Sequence, residues 1–254
     1  MIAPAKRIAL TVTGASASAS AWEATHAAPV LEMPVRIRYM RGTGHDVDVR
    51  RLLPEAALLA MLAGASSIWS AGGIRLVPGG VHTHTYALRE WGYRDEHDQV
   101  PSPSSDFRLF RALNAAYGTP QIRAIDLFVF WKIQGDAGYG APDRADGPTA
   151  GRGAAWIDTD CLAVADHAER YARLIAHEIG HVLRLCHACS LGARPEPPCA
   201  NAACPNPVAN DGRLAPCRHD SRRLMRADYA GTELVPYEIA RARGAVRERL
   251  VPNP

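Results

Sequence analysis

Residues 177 to 181 read His-Glu-Ile-Gly-His. On a helix, positions i and i+4 share a face, so the imidazoles of His177 and His181 can meet one ion. Zinc takes imidazole nitrogen at about 2.0–2.1 Å and, in catalytic sites, keeps one position for water. Glu178, one residue on, can reach that water rather than the metal. A zinc-activated water has a pKa of about 7. A carboxylate beside it can take the proton and hand it to a leaving amine. His177 and His181 are therefore candidate metal ligands, and Glu178 is the candidate general base of a hydrolysis. The five-residue pattern is a weak signal by itself, and its context must decide between this chemistry and two histidines on an amphipathic surface helix.

The context extends in both directions. His187 follows His181 by six residues and reaches the same ion only if the helix ends between them. Residues 177 to 187, HEIGHVLRLCH, resemble the HExxHxxGxxH motif of the metzincin zinc peptidases, with Arg184 where the family has glycine. That glycine allows a positive φ without a side-chain clash, and arginine in the same conformation costs about 1–2 kcal/mol. Downstream, Arg223-Leu224-Met225-Arg226 is the candidate for the turn whose methionine, in the family, lies beneath the zinc ligands. Gly231 to Pro236 and a helix carrying Ile239, Ala242 and Val246 follow it, and SSIWSAGGIRLV at 66–77 stands upstream. The set looks like the matrixin-like bacterial branch, spans roughly residues 35 to 246, and is sharpest at 174 to 187.

The resemblance implies a zinc endopeptidase acting on a protein or peptide. One catalytic Zn²⁺ would be held by His177, His181 and His187, with Glu178 as base and Met225 below the metal. It implies an α+β, zincin-type fold: a twisted, mostly parallel sheet, an active-site helix and a C-terminal helix. In the family an edge strand before the active-site helix binds the substrate backbone, and residues near Ala154 to Ile157 would take that place by β-augmentation.

Other features stay outside that scheme. The histidines that hold a second zinc in matrix-type relatives are missing from residues 135 to 153. Asp136, Asp143 and Asp146 in that stretch could bind calcium, although Gly/Asp loops are commonly just solvated. His82 and His84 share one face of a strand and read as surface residues. Six cysteines, Cys161, Cys186, Cys189, Cys199, Cys204 and Cys217, crowd the region around and after the motif. Disulfides are the favoured reading, and a thiolate zinc site, of the kind archaemetzincins carry after the third ligand, is the competitor. Two other functions compete: a catalytically silent zinc-binding or Cys-rich module, in which Glu178 would have no use, and a different HExxH peptidase in which Glu233 or Glu238 replaces His187.

The elements that must position these groups follow from pattern. Val35 to Tyr39 alternates as a half-buried strand. Pro54 opens a helix with Leu58, Met61, Leu62, Ala65 and Ile68 on one face, and Gly72-Gly73 stops it before a strand at Ile74 to Val77. Ser105 caps a short helix bearing Phe107, Phe110, Leu113 and Tyr117. Ile125 to Ile133 is apolar throughout and reads as a central strand. Residues 135 to 153 read as a long loop, and Ala154 to Ile157 as a short strand at a sheet edge. A helix from about Asp166 carries Tyr171, Leu174, Ile175, Ile179 and Val182 into the motif. Residues 188 to 221 form a Cys/Pro-rich loop, and Pro236 opens the last helix.

With 254 residues, 47% of them hydrophobic, the chain can bury one substantial core. A net charge of +3, with scattered arginines, is too small to argue for a nucleic-acid or membrane partner, so no nucleic acid is expected, and no apolar run is long enough to cross a bilayer. Residues 1 to 33 read as a tail or, from the order Lys6-Arg7, a short apolar stretch and small residues, as a targeting segment. Residues 34 to 254 make one domain. The cysteines favour a secreted or extracytoplasmic protein, with the cytoplasm left open. The oligomeric state has no signature in the sequence.

Overall fold

The computed structural model describes residues 29–42, 53–86, 99–101, 107–118, 123–133, 138–141, 153–159, 167–185, 224–225 and 231–250. Seven strands and four helices lie among them: β1 (Leu31–Gly42), α1 (Glu55–Ser70), β2 (Ile74–Tyr86), β3 (Gln99–Val100), α2 (Phe107–Tyr117), β4 (Ile125–Phe130), β5 (Lys132–Ile133), β6 (Gly138–Ala141), β7 (Ala154–Asp158), α3 (His167–Val182) and α4 (Pro236–Leu250). The main sheet has the order β2-β1-β4-β7-β6. Its first four strands are parallel, and β6 runs antiparallel to β7.

β4 is central because both of its faces are apolar. Ile125, Leu127 and Val129 enter the core shared with α1, α3 and α4. Phe128 and Phe130 enter a second core with Leu109, Phe110 and Leu113 of α2 and with Trp156. The sheet is thus the middle of three layers. The one charge in β4, Asp126, is 2% exposed and pairs with Arg38 of β1 at 2.9 Å, as a buried carboxylate must. The strand ends at Phe130 rather than running to Ile133, and Lys132–Ile133 instead pairs with Gln99–Val100.

The sheet edge differs from the sequence expectation. Ala154 to Ile157 is not an edge strand: β7 lies between β4 and β6 and is buried along its length. The edge is β6, Gly-Tyr-Gly-Ala, inside the stretch expected to be loop. Two glycines and no β-branched residue give it no strand signal. Its pairing is specified by tertiary contacts instead, including Tyr139 opposite Trp156, ring centroids 5.9 Å apart.

Smaller differences have similar causes. β2 continues past Pro78-Gly79-Gly80 to Tyr86, with a register shift between Val35 and Ile37 and φ of 107° at Gly80. An outer strand tolerates this, since proline's missing N–H costs no ladder bond on the solvent side. β1 begins at Leu31, within the expected tail, and Arg243 of α4 donates to the Pro29 carbonyl at 2.8 Å. Pro54 is the N-cap of α1 rather than a member of its first turn. Ser105 and residues 188 to 221 lie outside the described residues.

Candidate metal centre

α3 carries the HExxH segment because its apolar residues fall on one face. Tyr171, Leu174, Ile175, Ile179 and Val182 are all buried in the main core. His177 is buried with them, and His181 is half-buried.

The two imidazoles converge, with Nε2 atoms 3.1 Å apart and ring planes at 81°. Their outer nitrogens face backbone carbonyls: Nδ1 of His177 lies 2.8 Å from the Leu224 oxygen, and Nδ1 of His181 lies 2.9 Å from the Leu185 oxygen. A carbonyl only accepts, so each Nδ1 carries the proton and donates it. When both rings are neutral, each presents an Nε2 lone pair to the other, and the two are held at this distance by a proton shared between them or by a metal cation. A tetrahedral ion with nitrogen ligands at about 2.0–2.1 Å places them about 3.3 Å apart. The donor set and spacing fit zinc, and the carbonyls are the outer partners that fix a ligating histidine's tautomer.

Glu178 is 2% exposed. It lies against the edge strand: a Cβ at Gly138 would meet its Oε1 at 2.8 Å. Below the helix, a Cβ at Gly180 would meet the Met225 sulfur at 2.4 Å. Met225 is thus fully buried against α3, one residue from His181. The Leu224–Met225 turn is tied by the Leu224 N–H to the Glu233 carbonyl at 2.8 Å. Trp69 of α1 donates from Nε1 to the Ala176 carbonyl at 3.1 Å, bracing the helix one residue before His177.

α3 ends as the third ligand would require. Arg184 has φ of 66°. Its N–H bonds the His181 carbonyl, and the Leu185 N–H bonds the Gly180 carbonyl, both at 2.9 Å. This is the Schellman pattern, which satisfies two orphan carbonyls at the helix end. Arginine therefore adopts the conformation expected of glycine. Its guanidinium pairs with Glu248 of α4 at 2.6 Å.

His187, the six cysteines and Asp136, Asp143 and Asp146 lie outside the described residues. Among the alternatives to His187, Glu233 is exposed, and Glu238 accepts the Val235 N–H at 3.0 Å, capping α4. His82 is exposed, but His84 is half-buried beside Tyr117, ring centroids 4.6 Å apart, and its Nε2 has no hydrogen-bond partner among the described residues. Burial, then the charges of Arg38 and His82, lowers the His84 pKa from its usual value, against an opposing pull from Asp126.

Sequence reasoning missed Gly138 and Gly140 and the carbonyls of Leu224 and Leu185. A signal existed for the glycines, since the period-2 spacing Gly-Tyr-Gly-Ala places both on one strand face. The backbone carbonyls had none.

No protein-family model matches the chain, and no curated protein matches it in sequence. Among solved structures, it is similar to mature mirolysin of Tannerella forsythia in complex with a cleaved peptide, with a TM-score of 0.56 and 11% identity over 88% of this chain and 96% of that one. A mutant of promirolysin from the same organism gives a TM-score of 0.54 and 10% identity over 92% and 90%. Archaemetzincin of Methanopyrus kandleri gives 0.48 and 12% over 85% and 96%. At such identities the likeness to the two mirolysin structures is one of fold alone: a mixed α/β layout with a mostly parallel five-stranded sheet.

Proposed function

We propose that this chain is a zinc-dependent endopeptidase, matrixin-like in its motif pattern, with His177, His181 and His187 as ligands and Glu178 as general base. One observation carries the reading: the two Nε2 lone pairs at 3.1 Å, each ring oriented by a carbonyl at its Nδ1. With both rings neutral and protonated at Nδ1, the pair presents two lone pairs to one point, and a divalent cation there satisfies both. The left-handed residue at 184, which turns the chain off the helix, supports His187 as third ligand.

When bound, zinc supplies a Lewis acid that acidifies water to a pKa of about 7 and polarises a carbonyl. Glu178 takes the proton of the attacking water and returns it to the departing amine, so the peptide nitrogen leaves neutral. Its place against β6 puts that exchange beside the strand that would hold the substrate. Among the described residues β6 ends the sheet, paired on one side by β7, and on this reading an extended peptide adds to its other side. The cleaved peptide bound to mirolysin supports a peptide substrate here. The carboxylate also weighs against a silent zinc module. The capping role of Glu238 and the exposure of Glu233 weigh against an alternative third ligand.

The test is hydrolysis of a peptide library with and without chelator, beside metal content. Glu178→Ala should keep one zinc per chain and lose turnover. Activity above a few per cent of the parent would refute the mechanism. His187→Ala should weaken zinc binding, and unchanged affinity would remove it from the ligand set.

A further inference from the structure

We infer that Gly138 and Gly140 are positioning residues for the proposed site, each through a different member of it: Gly138 sets the Glu178 carboxylate, and Gly140 sets the depth of α3 against the edge strand. The inference rests on the reading of Glu178 as base.

The first observation is that neither glycine is needed for its backbone. Gly73, Gly80 and Gly153 have positive φ, whereas Gly138 and Gly140 do not. Any L-residue could adopt their conformations, and glycine in a strand interior is otherwise unfavourable. Space, not conformation, is what the two positions require.

The second observation is what fills that space. The register Gly138↔Ile157 and Gly140↔Ala155 puts both glycines on the α3 side of the sheet, while Tyr139 turns to the opposite face against Trp156. A Cβ at Gly138 would meet Glu178 Oε1 at 2.8 Å, Glu178 Cγ at 3.0 Å and Leu174 Cδ1 at 3.0 Å. All three are side-chain atoms. A Cβ at Gly140 would meet the Glu178 carbonyl oxygen at 2.1 Å and His181 Cβ at 2.8 Å. The first of these is main chain and cannot rotate away. The bare inner face of β6 thus lets the helix lie directly on the edge strand at the two residues proposed as base and ligand.

The two positions therefore predict different losses. A methyl at 138 pushes the carboxylate aside and leaves the imidazoles alone. A methyl at 140 forces strand and helix apart and shifts His181 with the helix. For Gly138→Ala, kcat should fall at least about tenfold while KM and zinc affinity stay within about twofold. For Gly140→Ala, zinc affinity measured by chelator competition should itself fall at least about tenfold. Gly244→Ala on α4, whose Cβ would meet nothing within 4 Å, is the control and should change neither.

A second arm needs neither zinc nor turnover. Gly138→Ala should lower the melting temperature of metal-free protein by about 4 °C, and most of that loss should vanish in a Glu178→Ala background, where two of the three atoms it strikes are gone and only Leu174 Cδ1 remains. An undiminished loss in that background, or a Gly138→Ala protein with kcat within twofold of the parent, would overturn the inference. If the parent cleaves no peptide, the peptidase reading fails, and the thermal cycle still decides whether residue 138 acts on Glu178. If Gly140→Ala does not fold, the Gly138 cycle decides alone.

Discussion

Arg184 offers a measurement of what a helix-ending glycine is worth. With φ of 66°, a residue carrying a Cβ is strained by about 1–2 kcal/mol. Arg184→Gly removes that strain, loosens the unfolded chain by about 0.4–1 kcal/mol, and deletes the pair with Glu248. Those two side chains are 41% and 61% exposed, so the pair contributes at most about 0–1 kcal/mol. Against the parent, the three contributions nearly cancel. Against Arg184→Ala they do not. Both variants lack the pair, and they differ only by one methyl at a positive φ. Glycine should therefore be the more stable by about 0.5–1 kcal/mol, the strain relieved less the entropy lost. In a chain of this size that is a shift of about 2–3 °C in melting temperature. The assay is urea unfolding of the metal-free proteins, read as a change of midpoint at constant m. Arg184→Ala at least as stable as Arg184→Gly would refute the positive φ, and with it the turn toward His187.

Gly180→Ala, whose Cβ would lie 2.4 Å from the Met225 sulfur, should cost about 1–3 kcal/mol by overpacking, and calorimetry of the Gly180→Ala, Met225→Ala and double variants should show most of that cost gone when Met225 is truncated. Trp69→Phe keeps an aromatic ring but loses the bond to the Ala176 carbonyl and part of a fully buried indole, and should cost at least about 1 kcal/mol in urea; no change would mean that the bond does not brace α3. His84, its pKa lowered by burial, binds fewer protons folded than unfolded, so its contribution is complete above the unfolded value of about 6.5 and is lost as pH falls from there toward the folded pKa. His84→Gln should flatten that part of the stability–pH curve, and a parallel curve would refute the assignment. The cysteines are proposed to form at least two disulfides, each contributing about 2–4 kcal/mol. Thiol counting under denaturing, non-reducing conditions on protein from an oxidising compartment checks this, and six free thiols would exclude it.

What could be read in the sequence was what periodicity encodes. The central strand at Ile125 and the helices at Glu55, His167 and Pro236 emerge where apolar residues repeat at spacings of 2 or 3.6. The pairing of His177 with His181 followed from the same arithmetic. The edge strand was illegible because Gly-Tyr-Gly-Ala owes its structure to neighbours far along the chain, chiefly Trp156 and Glu178. The groups that orient the imidazoles were illegible for another reason: they are backbone carbonyls, which every residue has. Only the fold selects those of Leu224 and Leu185.

Those two carbonyls explain why the helix-ending turn keeps its shape with arginine in it. The oxygen that orients His181 belongs to Leu185, the residue after Arg184 and the one whose N–H closes the Schellman turn on Gly180. Its direction is set by the φ of residue 184. If that residue relaxed to a negative φ, the Leu185 carbonyl would swing away, Nδ1 of His181 would lose its acceptor, and Nε2 would no longer be held as a lone pair facing His177. His177 depends in the same way on Leu224, in the turn whose next residue, Met225, fills the hollow at Gly180. His177 and His181 are thus each oriented by a turn that also packs on the helix carrying them. Loss of such an outer partner typically weakens metal binding by about 10–100-fold. About 1–2 kcal/mol of local strain at Arg184 is a comparable or smaller cost, so on the zinc reading the strained turn is the stable solution once the metal binds.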